Sequence, residues 1–134
     1  MELRKANELD FVRIHSAVCR KHISFCTHCD IAEDYLHDRL YAVVDGDRVL
    51  ATVSLVEESE YGYTAVKRLC ILNKKNQGRG IARFALHEIQ KQVKGNIGAT
   101  PWEDNSKMRY LLESEGFHLV YKFNTVWCFY IKEV

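Results

Sequence analysis

Residues 73 to 84, NKKNQGRGIARF, combine two glycines with four cationic side chains. They come where an apolar, strand-like run ends and a helical period begins. The first amides of a helix have no internal acceptor and lie at the positive end of its dipole, and glycines let an anion approach them closely. With Lys74, Lys75, Arg79 and Arg83 close by, the stretch predicts a loop that holds a phosphate group. An ordinary turn with charged decoration is the simpler alternative.

Two common phosphate-binding motifs do not fit this stretch. A Walker loop needs Gly-Lys followed by Ser or Thr, and no such tripeptide follows here. The Rossmann pattern needs a third glycine, which GRGIAR lacks. A phosphate site in this loop must therefore be of another kind.

The segments before the loop supply the strand that leads into it. Apolar residues at helical spacing predict a first helix over residues 7 to 22, capped by Asn7, and a second over 31 to 38. Alternating apolar residues on each side of Asp45-Gly46 predict a hairpin, because its tight turn needs positive φ. Another turn at Tyr61-Gly62 leads into YTAVKRLCIL, a central strand that ends at the loop.

The segments after the loop continue the alternation of helices and strands. A helical period runs from Gly80 to Gly95, and NIGAT forms a short strand. A helix over 104 to 115 follows, and two strands over 117 to 123 and 126 to 132 form a final hairpin. The predicted order is β-α-α-β-β-β-α-β-α-β-β, a mixed α/β sandwich in one domain over residues 1–134.

Two stretches carry a resemblance to a known family. Gln77-Gly78-Arg79-Gly80-Ile81-Ala82 resembles the Gln/Arg-x-x-Gly-x-Gly/Ala signature of the GNAT superfamily of N-acetyltransferases, and it follows a strand and opens a helix as that family requires. Residues 105 to 117, NSKMRYLLESEGF, resemble a later helix of the family, with Asn at its start and Gly-Phe at its end. The element order also agrees. The resemblance implies the GNAT-like acyl-CoA N-acyltransferase fold, in which helices flank a mixed, mostly antiparallel central sheet.

The resemblance also implies a co-substrate, acetyl-coenzyme A (acetyl-CoA), an amine acceptor, and no metal. In the family, the glycine loop holds the pyrophosphate, and pantetheine runs along the first of two central strands that splay apart. Backbone N–H groups at the end of that strand would polarise the thioester carbonyl. Carried over to this sequence, the residues that contact acetyl-CoA are Cys70, Ile71, Leu72, Gln77, Gly78, Arg79, Gly80, Ile81, Ala82, Arg83 and Asn105.

The proton donor of the family is absent from its usual position. The family transfers the acetyl group by direct attack of an amine on the thioester, and a tyrosine commonly protonates the departing thiolate. Leu112 stands at that position, and we interpret it as a core leucine. Tyr110 lies about 200° around the helix from it and cannot take over the role.

The general base is also missing from its commonest position. Arg68 and Leu69 stand where some relatives carry Glu. Glu57 and Glu58, at the end of the preceding strand, are weak candidates that would act on the incoming ammonium through water. The alternative is that both belong to a solvated strand end.

The stretch CRKHISFCTHC allows a metal hypothesis. Cys19, His22, Cys26 and Cys29 could bind zinc, with His28 as a substitute ligand. No second cysteine pair occurs elsewhere, and the first half of the stretch reads as a helix end, so free thiols are the favoured interpretation. The resemblance implies that this region walls the acceptor site, through His22, Phe25, His28 and Tyr35.

Bulk properties restrict the partners. The net charge is +1 and the basic residues concentrate in one loop, so nucleic-acid binding is not expected. No apolar run approaches the roughly 18 residues of a membrane span. Five cysteines without a recognisable export signal favour reduced thiols and a cytoplasmic protein. The final stretch NTVWCFYIKEV is apolar on both faces, as a buried strand or the edge of a homodimer would be.

These observations leave three functions. The first is an N-acetyltransferase that acts on the primary amine of a small molecule or peptide. The second, suggested by Leu112, is an acetyl-CoA binder or sensor without catalysis. The third is a zinc-dependent interaction module built on the first helices.

Overall fold

The structure, a computed structural model, describes residues 1–21, 28–124 and 126–134. Its elements follow the predicted order. They are β1 (Glu2–Lys5), α1 (Glu8–Lys21), α2 (His28–Leu36), β2 (Leu40–Asp45), β3 (Arg48–Glu58), β4 (Tyr63–Ile71), a 3₁₀ turn (Lys74–Asn76), α3 (Ile81–Gln92), β5 (Asn96–Ala99), α4 (Ser106–Ser114), β6 (His118–Phe123) and β7 (Trp127–Lys132).

The first two helices differ slightly from their predicted limits. The Asn7 cap is confirmed, because its Oδ1 accepts a hydrogen bond from the Asp10 amide at 2.8 Å. The second helix begins at residue 28, three residues earlier than predicted, and ends at Leu36. Its early end has a visible cause, since Asp38 has φ 57, outside the helical region.

Seven strands form one sheet in the order β1-β2-β3-β4-β5-β7-β6. Only β4 and β5 are parallel among the described pairs, and the other neighbours are antiparallel, as the resemblance implied. The predicted β2–β3 hairpin turns at Gly46, whose φ is 62. The last strand, β7, lies between β5 and β6, with Cys128 and Tyr130 fully buried. This stretch is therefore an interior strand with one buried face, and the described edge strands of the sheet are β1 and β6.

Apolar side chains cover both faces of the sheet. On one face, α3 and α4 bury Leu86, Ile89 and Leu112 against the strands. On the other face, α1 and α2 bury Ile14 and Ile31 against the first strands. Full burial of such a side chain contributes about 1.5–3 kcal/mol to the stability of the fold. The two helical layers therefore hold the strands of the sheet in place.

Candidate active site

A cleft opens between β4 and β5, where their pairing stops. The two strands pair from Tyr63↔Asn96 to Val66↔Ala99, and β5 ends there, just before Pro101. The rest of β4, residues 67–71, has no described strand on that side. The resulting cleft has a volume of about 660 Å³, within the usual range for small-molecule sites. Its walls include Glu58, Tyr63, Lys67, Arg68, Leu69, Trp102, Asp104, Asn105, Met108, Phe123 and Trp127.

A bulge in β4 lies at the mouth of this cleft. Ser54 pairs with Lys67, but Thr52 pairs with Cys70, so β4 contains one extra residue, and Arg68 has φ 53. Asp34 of α2, which is 1% exposed, holds the bulge because its Oδ2 accepts from Arg68 Nε at 3.0 Å and Nη2 at 2.6 Å. The charged pair stabilises a backbone conformation that an arginine rarely adopts.

Beyond the bulge, the direction of each backbone amide decides which can reach a ligand. The Leu72 amide donates to the Leu50 carbonyl at 3.0 Å, so it points to β3 and is already used. The expectation that it would polarise the thioester is therefore wrong for this residue. Alternation along a strand turns the Ile71 amide away from β3, beyond the part of β4 that lines the cleft, which runs from Tyr63 to Leu69. Cys70 lies buried opposite Thr52.

The glycine loop presents a run of open amides at the start of α3. Gly78 and Gly80 have φ 78 and 76, and Gly80 caps α3 without a side chain. Within the described ranges, nothing accepts from the amides of residues 78–83, whereas the Gln77 amide donates to the Lys74 carbonyl. A Cβ on Gly78 or Gly80 would meet nothing within 4 Å, so positive φ and access for a ligand explain these glycines better than crowding.

The cationic side chains of the loop have different surroundings. Arg83 Nη1 lies 2.6 Å from Glu115 Oε2 and 3.0 Å from Ser114 Oγ, so this guanidinium ties α3 to the end of α4. Arg79 is exposed and forms no ion pair with any residue that the structure describes. Lys74 and Lys75 are likewise exposed and form no ion pair within the described ranges, so the attraction for an anion comes from the open amides, the dipole of α3 and three cations, Lys74, Lys75 and Arg79.

Asn105 stands on the wall of the cleft across from β4, at the start of α4. Its Oδ1 accepts from the Met108 amide at 3.3 Å, which caps the helix. The side chain is exposed, and its Nδ2 donors touch no acceptor in the described part of the chain. Asn105 can thus donate into the cleft while its oxygen holds the helix.

Comparisons with known proteins relate this arrangement to a fold. No family model and no curated protein matches the sequence. Among solved structures, a GNAT-family acetyltransferase from Streptococcus agalactiae is similar with a TM-score of 0.82 at 18% identity, over 99% of this chain and 95% of that one. An acetyltransferase from Thermus thermophilus gives 0.79 at 17% identity, over 99% and 96%. An aminoglycoside 6'-acetyltransferase type Ii gives 0.77 at 12% identity, over 99% and 97%. This chain has the GNAT acetyltransferase fold.

On this GNAT fold, the position of the missing acid is a core position. Leu112 is fully buried against α3 and the sheet, which confirms its interpretation as a core leucine. Tyr110 is 70% exposed on the outer side of α4, so it does not replace a proton donor in the cleft.

The structure separates the two candidate bases. Glu57 pairs with Thr64 and Glu58 with Tyr63, so their side chains lie on opposite faces of the sheet. Only Glu58 lines the cleft, where its Oε1 lies 3.7 Å from Lys67 Nζ. The geometry thus favours Glu58 over Glu57 as the carboxylate that an amine in the cleft would meet.

Several aromatic residues of the cleft were not identified from the sequence. Tyr63 lies against Gly98, where an added Cβ would be only 2.6 Å from the ring, and burial with the nearby Glu58 raises the pKa of its phenol. Trp102, Phe123 and Trp127 form the other aromatic walls. They come from three separate segments, so no local pattern in the sequence joins them.

The cysteine and histidine stretch falls partly outside the described residues, which exclude His22, Phe25 and Cys26. Cys19 and Cys29 are exposed and form no disulfide. Tyr35 stacks on Phe11 of α1, with ring centroids 4.4 Å apart. Within residues 1–21, 28–124 and 126–134, no group of three metal-ligating side chains is present, and no helix is both long and apolar enough to cross a bilayer.

Proposed function

We propose that this protein is an N-acetyltransferase of the GNAT superfamily, which transfers an acetyl group from acetyl-CoA to a primary amine by direct attack. The observation that carries the proposal is the run of open amides at residues 78–83, which follows the end of β4, the strand that lines one wall of the cleft. A loop of this kind binds the pyrophosphate of a nucleotide-like ligand, and the pantetheine arm would lie in the cleft beside β4.

Three parts of acetyl-CoA would each meet a different surface. The amides of residues 78–83 and the Arg79 side chain would hold the pyrophosphate, with Gln77 at the entrance of the loop. Pantetheine would run beside β4, where the Ile71 amide points away from β3, and Asn105 would donate from the opposite wall. The Ile71 amide would then stabilise the oxyanion that forms on the thioester carbonyl.

The cleft offers a candidate base for the reaction, whereas the usual proton donor is absent from its position. Glu58 would take a proton from the incoming ammonium through water, which frees the nitrogen lone pair to bond to the carbonyl carbon. The tetrahedral oxyanion then collapses, the C–S bond breaks, and the sulfur leaves as a thiolate. Because Leu112 cannot donate, the second proton that the nitrogen loses as the amide forms would pass through water to that thiolate.

A second candidate function is an acetyl-CoA binder without turnover, and Leu112 is the observation that favours it. Calorimetry and thiol release in one protein preparation separate the two. The enzyme proposal predicts micromolar binding, about −8 kcal/mol, and release of free thiol that requires an added amine. Binding with no amine-dependent thiol release over a broad amine panel would favour the sensor, and no binding would refute both.

A further inference from the structure

A chain of six aromatic rings begins and ends at the cleft and extends between these ends to the edge strand β6. Successive ring centroids lie 5.3 Å apart for Tyr63–Phe129, 5.4 Å for Phe129–Tyr121, 5.7 Å for Tyr121–Phe123, 6.5 Å for Phe123–Trp127 and 5.3 Å for Trp127–Trp102. We call these six side chains the aromatic surface. Spacings of this size are normal ring contacts, so the rings form one continuous apolar strip.

The strip lies on the face of β6 and β7 that is opposite to α3 and α4. Tyr121 pairs with Phe129 and Phe123 with Trp127, so these side chains share a face opposite to Cys128, which is buried beneath α3 and α4. Tyr121 is 54% exposed, Trp102 53% and Phe123 36%. A contiguous exposed strip of large rings is unusual on a monomer and marks a place where another apolar group binds.

The strip is continuous with the cleft. Four of its rings line the cleft, namely Tyr63, Trp102, Phe123 and Trp127. Glu58 lies next to Tyr63, in the adjacent strand. Tyr63 reaches across because β5 has a glycine beneath it, since a Cβ on Gly98 would contact Tyr63 at 2.6 Å and Phe129 at 3.1 Å. An amine placed beside Glu58 would therefore carry its substituent onto the rings.

The charges in the cleft do not favour a highly charged acceptor. Its described walls contain two carboxylates, Glu58 and Asp104, and two cations, Lys67 and Arg68. The Glu58 carboxylate forms an ion pair with Lys67, and the Arg68 guanidinium forms one with Asp34. A polyamine would need several carboxylates, whereas a single ammonium needs only one, and at Glu58 it would share that carboxylate with Lys67. Selectivity must therefore come from contact with the rings.

We propose that the acceptor is a primary amine on a short chain that carries an aromatic or branched apolar group. This inference rests on the proposed function and specifies its second substrate. The ammonium lies beside Glu58, where ring faces add attraction for a cation, and the apolar group stacks on the aromatic surface.

The test measures kcat/KM by thiol release at saturating acetyl-CoA, with 2-phenylethylamine, propylamine and spermidine as probes. Phenylethylamine should exceed propylamine by at least about tenfold, since a buried ring contributes more than the roughly 1.4 kcal/mol that a factor of ten requires. In the double variant Tyr121→Ala, Phe123→Ala, this ratio should fall towards one. Tyr110→Ala, an equally exposed tyrosine on α4, should leave the ratio unchanged.

Each other outcome overturns the inference in a distinguishable way. If wild type prefers spermidine or treats phenylethylamine and propylamine alike, the acceptor assignment is wrong while the acetyltransferase proposal stands. If sedimentation shows that the double variant changes oligomeric state and keeps the amine preference, the aromatic surface is a subunit interface instead. Phe123→Leu, which keeps apolar bulk without a ring, replaces the double variant if the latter does not fold. Failure to bind acetyl-CoA would defeat both proposals.

Discussion

Substitution of Gly80 by Asp tests the phosphate loop at its most exposed point. Gly80 caps α3 with φ 76, and an added side chain meets no neighbour within 4 Å, so the protein can fold around it. A left-handed residue other than glycine costs about 1–2 kcal/mol, and Asp gains only a few tenths of a kcal/mol over Gly as an N-cap. Stability should therefore fall by about 1 kcal/mol, a cost that the Asn variant shares.

The effect on acetyl-CoA binding should be much larger. A carboxylate about 4 Å from a phosphate is repelled by about 1 kcal/mol in bulk water and about 4 kcal/mol near a protein surface. A value of about 2 kcal/mol, between these limits, corresponds to a Kd increase of about 30-fold. Because the site is exposed, raising the salt concentration should shrink this increase.

Two control variants isolate the cause. Gly80→Asn has the same shape without the charge, so the difference between Asp and Asn measures repulsion alone. Gly46→Asp places the same carboxylate at another open, positive-φ glycine, in the β2–β3 turn, and should bind acetyl-CoA as wild type does. Calorimetry of all four proteins is the assay. If Gly80→Asp binds acetyl-CoA as tightly as Gly46→Asp, the loop does not hold the phosphates.

Three further predictions concern single carboxylates. Glu58→Gln should lower kcat about 100-fold with unchanged acetyl-CoA affinity, whereas Glu57→Gln on the opposite face should not; equal losses in both would remove Glu58 as the base. Although burial opposes ionisation, hydrogen bonds from Arg4 and an amide keep the pKa of Asp10 below its usual value. Its stabilisation is therefore present above about pH 4 and lost as the pH falls through the lower pKa of the folded state, so Asp10→Asn should cost about 1–3 kcal/mol in urea unfolding at pH 7 and progressively less as the pH is lowered below about 4. A cost that does not change with pH would contradict this. Asp34→Asn should cost roughly 3 kcal/mol, because it removes the buried charge that pairs with both Arg68 and Arg39, and a loss below about 0.5 kcal/mol would mean that other contacts hold the bulge.

Local patterns in the sequence predicted most of the fold. The Asp45-Gly46 turn, the periodicity of α3 and α4 and the glycine loop each depend on neighbours within a few residues, so the element order was correct. The start of α2 was missed because its first residues, His28 and Cys29, contribute little to an apolar period.

The features that complete the site depend on distant residues. Asp34 and Arg68 are 34 positions apart, and the left-handed φ of Arg68 depends on that pair and on a register shift in β4. Likewise, the local sequence around Glu57 and Glu58 does not indicate which carboxylate faces the cleft. The pairing of these residues with Thr64 and Tyr63 in β4 determines it. The aromatic surface joins β4, β6, β7 and the segment after β5, so only the folded sheet reveals it.

The most direct test of the central claim follows acetyl groups through one reaction. Purified protein, acetyl-CoA and an amine mixture that includes 2-phenylethylamine are incubated and analysed by mass spectrometry. Direct transfer predicts that free CoA and acetylated amine appear in equal amounts, and that the protein itself carries no acetyl group. Intact acetyl-CoA, or free CoA without any acetylated amine, would contradict the assignment of this cleft as the active site of an N-acetyltransferase.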